Sequence, residues 1–292
     1  MSFLSEEIAS QPSLWASSAL RDLAGSGDLP KPGERVAVLG CGTSWYMAQS
    51  YAALREAAGQ GETDALAASE FPADRRYDRV LALTRSGTTT EVLAALAKVP
   101  AGTPTVAITA DPATPVSDAA GAVVALDFAD ERSVVQTRFA TCALVLLRAH
   151  LGERLDGLAA DGERAVAAPL PAEVLDAEQV TFLGTGWTFG LANEAALKLR
   201  EAAQAWTESY LAMEYRHGPI SIAAPGRVVW VFGEPPAGLL ADLAGTGAHV
   251  EHAPGDPLAD LVRAQRLAES LATARGLDPD RPRNLERSVI LG

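Results

Sequence analysis

The chain has 292 residues, with 24 Lys and Arg against 37 Asp and Glu, a net charge of −13 at neutral pH. That balance excludes a protein that grips nucleic acid or an anionic membrane through a basic face. Hydrophobic residues make up 48%, enough for one large core or two ordinary ones, and the two cysteines, Cys41 and Cys142, build neither a disulfide framework nor a zinc site.

The first residues, Met-Ser-Phe-Leu-Ser-Glu-Glu, lack the basic flank and apolar run of a signal peptide, and no apolar stretch reaches the roughly 20 residues of a membrane span. A cytoplasmic protein is expected. Leu4, Ile8, Trp15, Leu20 and Leu23 make residues 3–24 read as helical. Gly and Pro punctuate 25–33, and Val36-Ala37-Val38-Leu39 is a short apolar run, the pattern of a buried strand. It ends in Gly40-Cys41-Gly42-Thr43-Ser44 and an Ala-rich helix to about Glu56. A second strand, Val80 to Leu83, leads into Thr84-Arg85-Ser86-Gly87-Thr88-Thr89-Thr90 and a helix from Glu91 to Lys98. Strands over 105–109 and 122–126 follow, and a long helix over about 137–155 closes the unit. The Ala- and Pro-rich segment 158–171 reads as a linker. Strands alternating with helices predict an α/β fold with parallel sheets covered by helices.

The alternation restarts at Val180-Thr181-Phe182-Leu183, followed by Gly184-Thr185-Gly186-Trp187-Thr188 and a helix. Leu39-Gly40-x-Gly42 matches Leu183-Gly184-x-Gly186, and 184 − 40 = 144. Ala68-Ser69-Glu70-Phe71 matches Ala212-Met213-Glu214-Tyr215 at the same offset, since 214 − 70 = 144. Two matches at one offset indicate a tandem duplication. The halves have diverged: after the strand over 228–232 stands Gly233-Glu234-Pro235-Pro236, with no hydroxyl cluster. A helix over 257–275 and a tail over 277–292 complete the chain.

In an open parallel sheet, ligands bind beyond the carboxyl ends of the strands. The Gly42-Thr43-Ser44 turn and the 84–90 loop both lie there, each before a helix whose first N–H groups lack partners. Short hydroxyls at Thr84, Ser86, Thr88, Thr89 and Thr90 complete a set suited to a phosphate monoester; ordinary helix capping is the alternative. A third dinucleotide glycine and a Walker lysine are both missing, which speaks against nucleotide binding. On the helix after Trp187, Glu194 and Lys198 are four apart and Lys198 and Glu201 three apart, so they share a face. Taken alone this is a solvated charged stripe; on an otherwise apolar helix it is also a candidate catalytic set. His217, in Glu214-Tyr215-Arg216-His217-Gly218-Pro219, is the one histidine of four that stands in a polar cluster.

Through Gly42-Thr43-Ser44, Ser86-Gly87-Thr88-Thr89, Lys198-Leu199-Arg200-Glu201, Glu214-Tyr215-Arg216-His217-Gly218-Pro219 and the tail Asp280 to Val289, the sequence resembles the sugar isomerase (SIS) family. The nearest resemblance is to the isomerase half of glucosamine-6-phosphate synthase and free-standing amino-sugar-phosphate deaminase/isomerases and deglycases. It implies an N-terminal helical segment (1–34), a first SIS domain (35–157), a second (172–276) and an active-site tail (277–292). It further implies a homodimer that binds a hexose or aminohexose phosphate between domains. By that resemblance Ser44, Thr84, Arg85, Ser86 and Thr89 hold the phosphate, and Gly42, Thr43, Val134 and Arg287 contact substrate. Glu131, Val134 and Thr137 lie in a loop that closes over the sugar. Glu201 shuttles the proton between C1 and C2, Lys198 steadies the intermediate, and His217 opens the ring across the dimer interface. No metal or redox cofactor is required.

Two departures bear on the activity. The synthase's glutaminase half has no counterpart in this sequence, so ammonia from glutamine is not expected. Arg287 stands where the synthase has its imine-forming lysine, and a guanidinium stays protonated and forms no Schiff base at neutral pH. Isomerisation, or deamination of a substrate that brings its own nitrogen, remains the expected chemistry. The competing expectations are a fructosamine-phosphate deglycase and a sugar-phosphate sensor without catalysis.

Overall fold

The computed structural model describes residues 2–291. The helical stretch expected over residues 3–24 is two helices, α1 (Phe3–Trp15) and α2 (Ser18–Ala24). The break comes at Ser17, whose extended backbone and side-chain oxygen, accepting from the Leu20 N–H at 3.4 Å, start a new helix. By contact the chain divides into two units, and each holds its own sheet.

The first unit comprises residues 13–132, 136–156 and the tail from Glu286. Its elements are β1 (Val36–Gly40), α3 (Thr43–Ala57), β2 (Thr63–Ala67), β3 (Arg79–Thr84), α4 (Thr90–Ala97), β4 (Thr105–Thr109), α5 (Val116–Ala119), β5 (Ala122–Ala125) and α6 (Arg138–His150). Among the described residues the sheet has five strands, all parallel, in the order β2-β1-β3-β4-β5. Every residue of β1 and β3 is buried, which is why these central strands are continuous apolar runs. The edge strand β2 is half-buried and carries Thr63 and Asp64, so no run betrays it in the sequence. Helix α6 stops at His150, short of the expected Leu155, because Gly152 follows with a φ of +83°.

The second unit comprises the residues up to Pro12 together with 133–135 and 157–285. It contains α7 (Leu158–Ala167), α8 (Ala172–Leu175), β6 (Gln179–Gly184), α9 (Thr188–Ala203), β7 (Thr207–Leu211), β8 (Arg227–Val231), α10 (Leu239–Ala244), β9 (His249–Glu251) and α11 (Pro257–Ala274). Here four parallel strands run β7-β6-β8-β9 among the described residues. Helix α7 occupies the segment expected to be a linker. Its inward face is Leu158, Gly162 and Ala165, one large apolar residue and two small ones, which leave only a faint apolar signal, and the helix packs on α11.

The fold is thus α/β, two parallel sheets flanked by helices, as the alternation predicts. The strand order repeats with one strand fewer, which agrees with the duplication. The same local constraint recurs at the 144-residue offset. A Cβ on Gly40 would lie 2.5 Å from the Ser44 carbonyl carbon, and one on Gly184 would lie 2.3 Å from the Thr188 oxygen. In both units the strand turns into its helix too tightly for any side chain.

Candidate active site

The first unit presents its chemistry at the ends of β1 and β3. Gly42 takes φ +53°, ψ −124°, open to glycine alone among common residues, and so turns the chain into α3. Thr43 and Ser44 are buried in the first turn of that helix, whose N-cap is the glycine itself. Next to them the Cys41 thiol is pushed up to about 11 by burial and by the nearby Glu91, so it stays protonated at neutral pH.

Beyond β3 the loop is shaped from within. The Gly87 N–H donates to Thr84 Oγ1 at 3.3 Å, and the Thr88 N–H donates to Ser86 Oγ at 3.2 Å. Ser86 Oγ and Thr89 Oγ1 are 3.4 Å apart. Gly87 sits at φ +65°, and a Cβ there would run into Thr114 Oγ1, so the tight turn requires glycine. The loop therefore gathers the hydroxyls of Ser86, Thr88 and Thr89 at one point, while the buried Thr84 hydroxyl holds the loop backbone.

Arg85 is buried, its Nη1 3.8 Å from Glu131 Oε2 and its Nη2 donating to the Arg287 carbonyl at 3.0 Å. Glu131 in turn caps α6: its Oε1 accepts from the Thr137 N–H (2.6 Å), the Thr137 hydroxyl (2.9 Å) and the Arg138 N–H (2.8 Å). The Arg287 guanidinium binds Asp130 Oδ1 and the Glu131 carbonyl. Ser288 stands among the loop hydroxyls, 3.1 Å from Ser86 Oγ and 2.9 Å from Thr88 Oγ1. Sequence reasoning missed Ser288 and Asp130; about 200 residues separate Ser288 from its partners, and no local pattern marks either.

In the second unit, α9 carries the charged row. Lys198 Nζ lies 2.6 Å from Glu201 Oε2 and 3.4 Å from Glu194 Oε1. Glu194 and Lys198 are fully buried, which overturns the solvated-stripe reading of this spacing; only Glu201 is partly open, with 20% of its side chain exposed. Glu201 lines a cavity of about 390 Å³ together with Arg200, Gln204, Ala205, Arg283 and Leu285. A carboxylate at a cavity wall with an ammonium behind it can accept a proton from carbon and offset the charge that develops.

His217 is exposed at the end of the turn Glu214–His217, which the buried Tyr215 anchors and the Arg216–Asp242 ion pair (2.8 Å) braces. Val134 lies in the second unit, its N–H donating to the Asp280 carbonyl at 3.0 Å. The Asp280 carboxylate takes the Phe3 and Leu4 N–H groups at 2.9 and 2.8 Å, capping α1. Among the described residues, no three His, Cys, Asp or Glu side chains are grouped as metal ligands, and no helix is long and apolar enough to cross a membrane.

No family model matches the chain. It is 27% identical to glutamine–fructose-6-phosphate aminotransferase [isomerizing] from Zymomonas mobilis, across 99% of this chain and 59% of that one. The protein of the same description from Gloeobacter violaceus is 29% identical, across 99% and 58%. The chain thus spans about three-fifths of the length of these curated relatives. Among solved structures, glucosamine-6-phosphate deaminase from Thermotoga maritima superposes with a TM-score of 0.80 at 25% identity, covering 99% of this chain and all of that one. Tagatose-6-phosphate ketose/aldose isomerase from Escherichia coli shares the fold, with a TM-score of 0.76 at 20% identity and coverage of 98% and 97%. By its motifs, its duplicated α/β fold and these relatives, the chain fits the sugar isomerase (SIS) family, with two such units in tandem.

Proposed function

We propose that the chain is a phosphosugar isomerase or deaminase that acts on a hexose or aminohexose 6-phosphate by moving a proton between C1 and C2. The observation that carries this reading is the α9 row: one partly open carboxylate, Glu201, at a cavity wall, with Lys198 2.6 Å behind it and a second carboxylate behind that. The relatives' named activities on hexose and aminohexose 6-phosphates supply the substrate class.

In this reading Ser44, Thr84, Ser86 and Thr89 hold the phosphate, helped by Arg85, and Gly42, Thr43, Val134 and Arg287 line the sugar. His217, from the second chain of a homodimer, opens the ring. Glu201 takes the proton from C2 of the open-chain aldose, the electron pair moves onto the C1 carbonyl oxygen as the enediolate forms, the C2 hydroxyl proton passes to that oxygen, and the same carboxyl returns the proton to C1 as the C2 carbonyl forms. Lys198 offsets the negative charge of that intermediate. With an amino group on C2 the same tautomerisation gives an imine, which water hydrolyses with release of ammonia.

The test is a panel of hexose and aminohexose 6-phosphates in deuterated water, with C2-proton exchange, ketose formation and ammonia release read separately. Glu201→Gln should bind sugar phosphate while exchange falls by the ~10²–10⁴ of lost acid–base catalysis. Exchange at the wild-type rate in that variant would assign the base elsewhere, and binding without exchange in the wild type would favour a sensor. Mixing Glu201→Gln chains with His217→Ala chains should restore part of the activity through hybrid dimers. Full activity in a sedimenting monomer would refute the shared site.

A further inference from the structure

The cavity that Glu201 lines is built from two segments. Arg200, Gln204 and Ala205 come from the end of α9, and Arg283 and Leu285 come from the tail. Lys198, the cation paired with Glu201, is not on its walls. The Lys198 side chain is 1% exposed, and its Nζ is held by Glu201 Oε2 at 2.6 Å and Glu194 Oε1 at 3.4 Å. Its charge acts from behind the carboxylate, so a substrate oxygen inside the cavity meets other donors.

The side chains with N–H groups on those walls are Arg200, Gln204 and Arg283. Arg200 Nη1 is turned to the Thr207 carbonyl and hydroxyl, at 3.4 and 3.3 Å. The Arg283 guanidinium makes no hydrogen bond or ion pair among the described residues. Nor does the end of α9 need it as a cap. The Ala203 carbonyl accepts from Arg275 Nη1 at 2.6 Å, and the Arg200 and Leu199 carbonyls accept from the Gln204 and Ala205 N–H groups, both at 3.2 Å.

The backbone sets Arg283 in place. The Leu285 N–H donates to the Pro282 carbonyl at 3.4 Å, closing a four-residue turn around Arg283 and Asn284, with Pro282 buried. Asn284 takes φ +63° and Gln204 φ +53°, the two non-glycine residues with left-handed φ among those described. Both stand at this one cavity: Gln204 lines it, and Asn284 lies between two residues that do. Backbone of this kind gathers at sites where side chains are held for a ligand.

We infer that Arg283 is a further catalytic residue of the proposed reaction: its guanidinium donates to the substrate oxygen that becomes negative as Glu201 removes the neighbouring proton. This rests on the reading of Glu201 as the base. Charge builds on that oxygen before the proton of the adjacent hydroxyl reaches it, and a donor already in place lowers the barrier. A guanidinium offers parallel N–H groups together with a charge. It keeps its protons at neutral pH, so it stabilises the enediolate by hydrogen bonding and not as an acid. Lys198 then acts at a distance and Arg283 by contact.

The experiment uses the full chain with glucose 6-phosphate and glucosamine 6-phosphate in deuterated water. Exchange of the C2 proton at saturating substrate is measured for wild type, Arg283→Gln, Arg283→Lys, Arg283→Ala, Arg200→Gln and Glu201→Gln, and affinity is read by calorimetry. Arg283→Gln should slow exchange by about 10²–10³-fold, the loss usual for one donor to a developing oxyanion, with a much smaller change in affinity. Arg283→Lys should keep part of the rate, and ethylguanidinium added to Arg283→Ala should restore part of it. Arg200→Gln should slow exchange far less. Exchange that requires Glu201 but runs at the wild-type rate in Arg283→Gln, or falls as far in Arg200→Gln, would keep the base and overturn the role of Arg283. A slowed Arg283→Gln that neither lysine nor ethylguanidinium rescues would make the arginine structural and overturn it as well. Exchange indifferent to Glu201→Gln, or absent from wild type with both sugars, would remove the proposed reaction and the role of Arg283 with it. Circular dichroism confirms that each variant is folded.

Discussion

Lys198→Met tests how the charged row of α9 is built. The methionine keeps most of the side-chain volume and removes the ammonium. Lys198 Nζ lies 2.6 Å from Glu201 Oε2 and 3.4 Å from Glu194 Oε1. With an effective dielectric constant near 20, those distances correspond to gross attractions of about 6 and about 5 kcal/mol. Desolvation of three charges at a site where Lys198 is 1% and Glu194 0% exposed cancels most of that sum. Removing the central charge alone leaves the desolvation of the carboxylates in place. Lys198→Met should therefore cost about 3–5 kcal/mol. Glu194→Gln, which leaves Lys198 paired with Glu201, should cost less, about 1–2 kcal/mol.

The double variant decides the matter. Lys198→Met with Glu194→Gln removes the deeply buried carboxylate together with its counter-ion. It should recover about 2 kcal/mol or more of the loss, a coupling typical of charges in direct contact. Urea unfolding followed by far-ultraviolet circular dichroism measures all four proteins. Were the double variant as unstable as Lys198→Met, or Lys198→Met within about 0.5 kcal/mol of wild type, the counter-ion account would fail. The same set separates structure from chemistry: a double variant with restored stability that still fails to exchange the C2 proton assigns the Lys198 charge to the reaction.

Ser86→Ala should weaken sugar-phosphate binding by about 1–3 kcal/mol and leave unphosphorylated sugar unaffected; equal loss for both would sink the phosphate assignment. Gly184→Ala should cost more than about 2 kcal/mol, because its Cβ would lie 2.3 Å from the Thr188 carbonyl oxygen, a backbone atom that cannot step aside; a denaturation midpoint equal to wild type would refute this. Asp260 has its carboxyl pushed up to about 6 by burial, with the Trp230 Nε1–H (2.7 Å) and Arg263 opposing. Folding thus favours the protonated form, so this contribution is full below pH ~4 and is lost as pH rises through about 6. The stability of wild type relative to Asp260→Asn should accordingly fall by about 2 kcal/mol between pH 4 and 7, and a flat difference would contradict it.

What the sequence reveals follows from burial. Strands β1, β3 and β4 sit inside parallel sheets, so their residues form apolar runs visible without any structure. Strands β2 and β7 sit at sheet edges with one side open, and Thr63-Asp64 and Thr207-Glu208 give no run to find. At the candidate site, the spacing of Glu194, Lys198 and Glu201 is legible, because a helix fixes which residues share a face. Whether that face meets water is not. The packing of α11 on α9 accompanies the burial of Lys198, and packing between elements about 70 residues apart leaves no local trace. The hydroxyl cluster after β3 is likewise legible as composition, whereas its contact with Ser288 joins residues about 200 positions apart.

The duplication explains why neither half repeats the other's chemistry. At the 144-residue offset, Glu194, Lys198 and Glu201 of α9 fall on Ser50, Leu54 and Ala57 of α3. Strand register gives the other correspondence. Val36 pairs with Arg79 and its counterpart Val180 with Val228, so the loops compare at 228 − 79 = 149. At that offset Thr84, Ser86 and Thr89 fall on Gly233, Pro235 and Gly238. The second loop lacks those hydroxyls, and at Pro235 and Pro236 it lacks backbone N–H donors as well, so it offers none of the donors that the first loop gathers. The first helix has no carboxylate–ammonium row and cannot move a proton from carbon. The shared glycines, Gly40 and Gly184, survive in both units because they answer to backbone geometry, which duplication copies and function does not relax. Anion binding and proton transfer make opposite electrostatic demands, donors in one case and a carboxylate in the other. On the proposed function, two copies of one fold let each demand be met where the other does not compete with it.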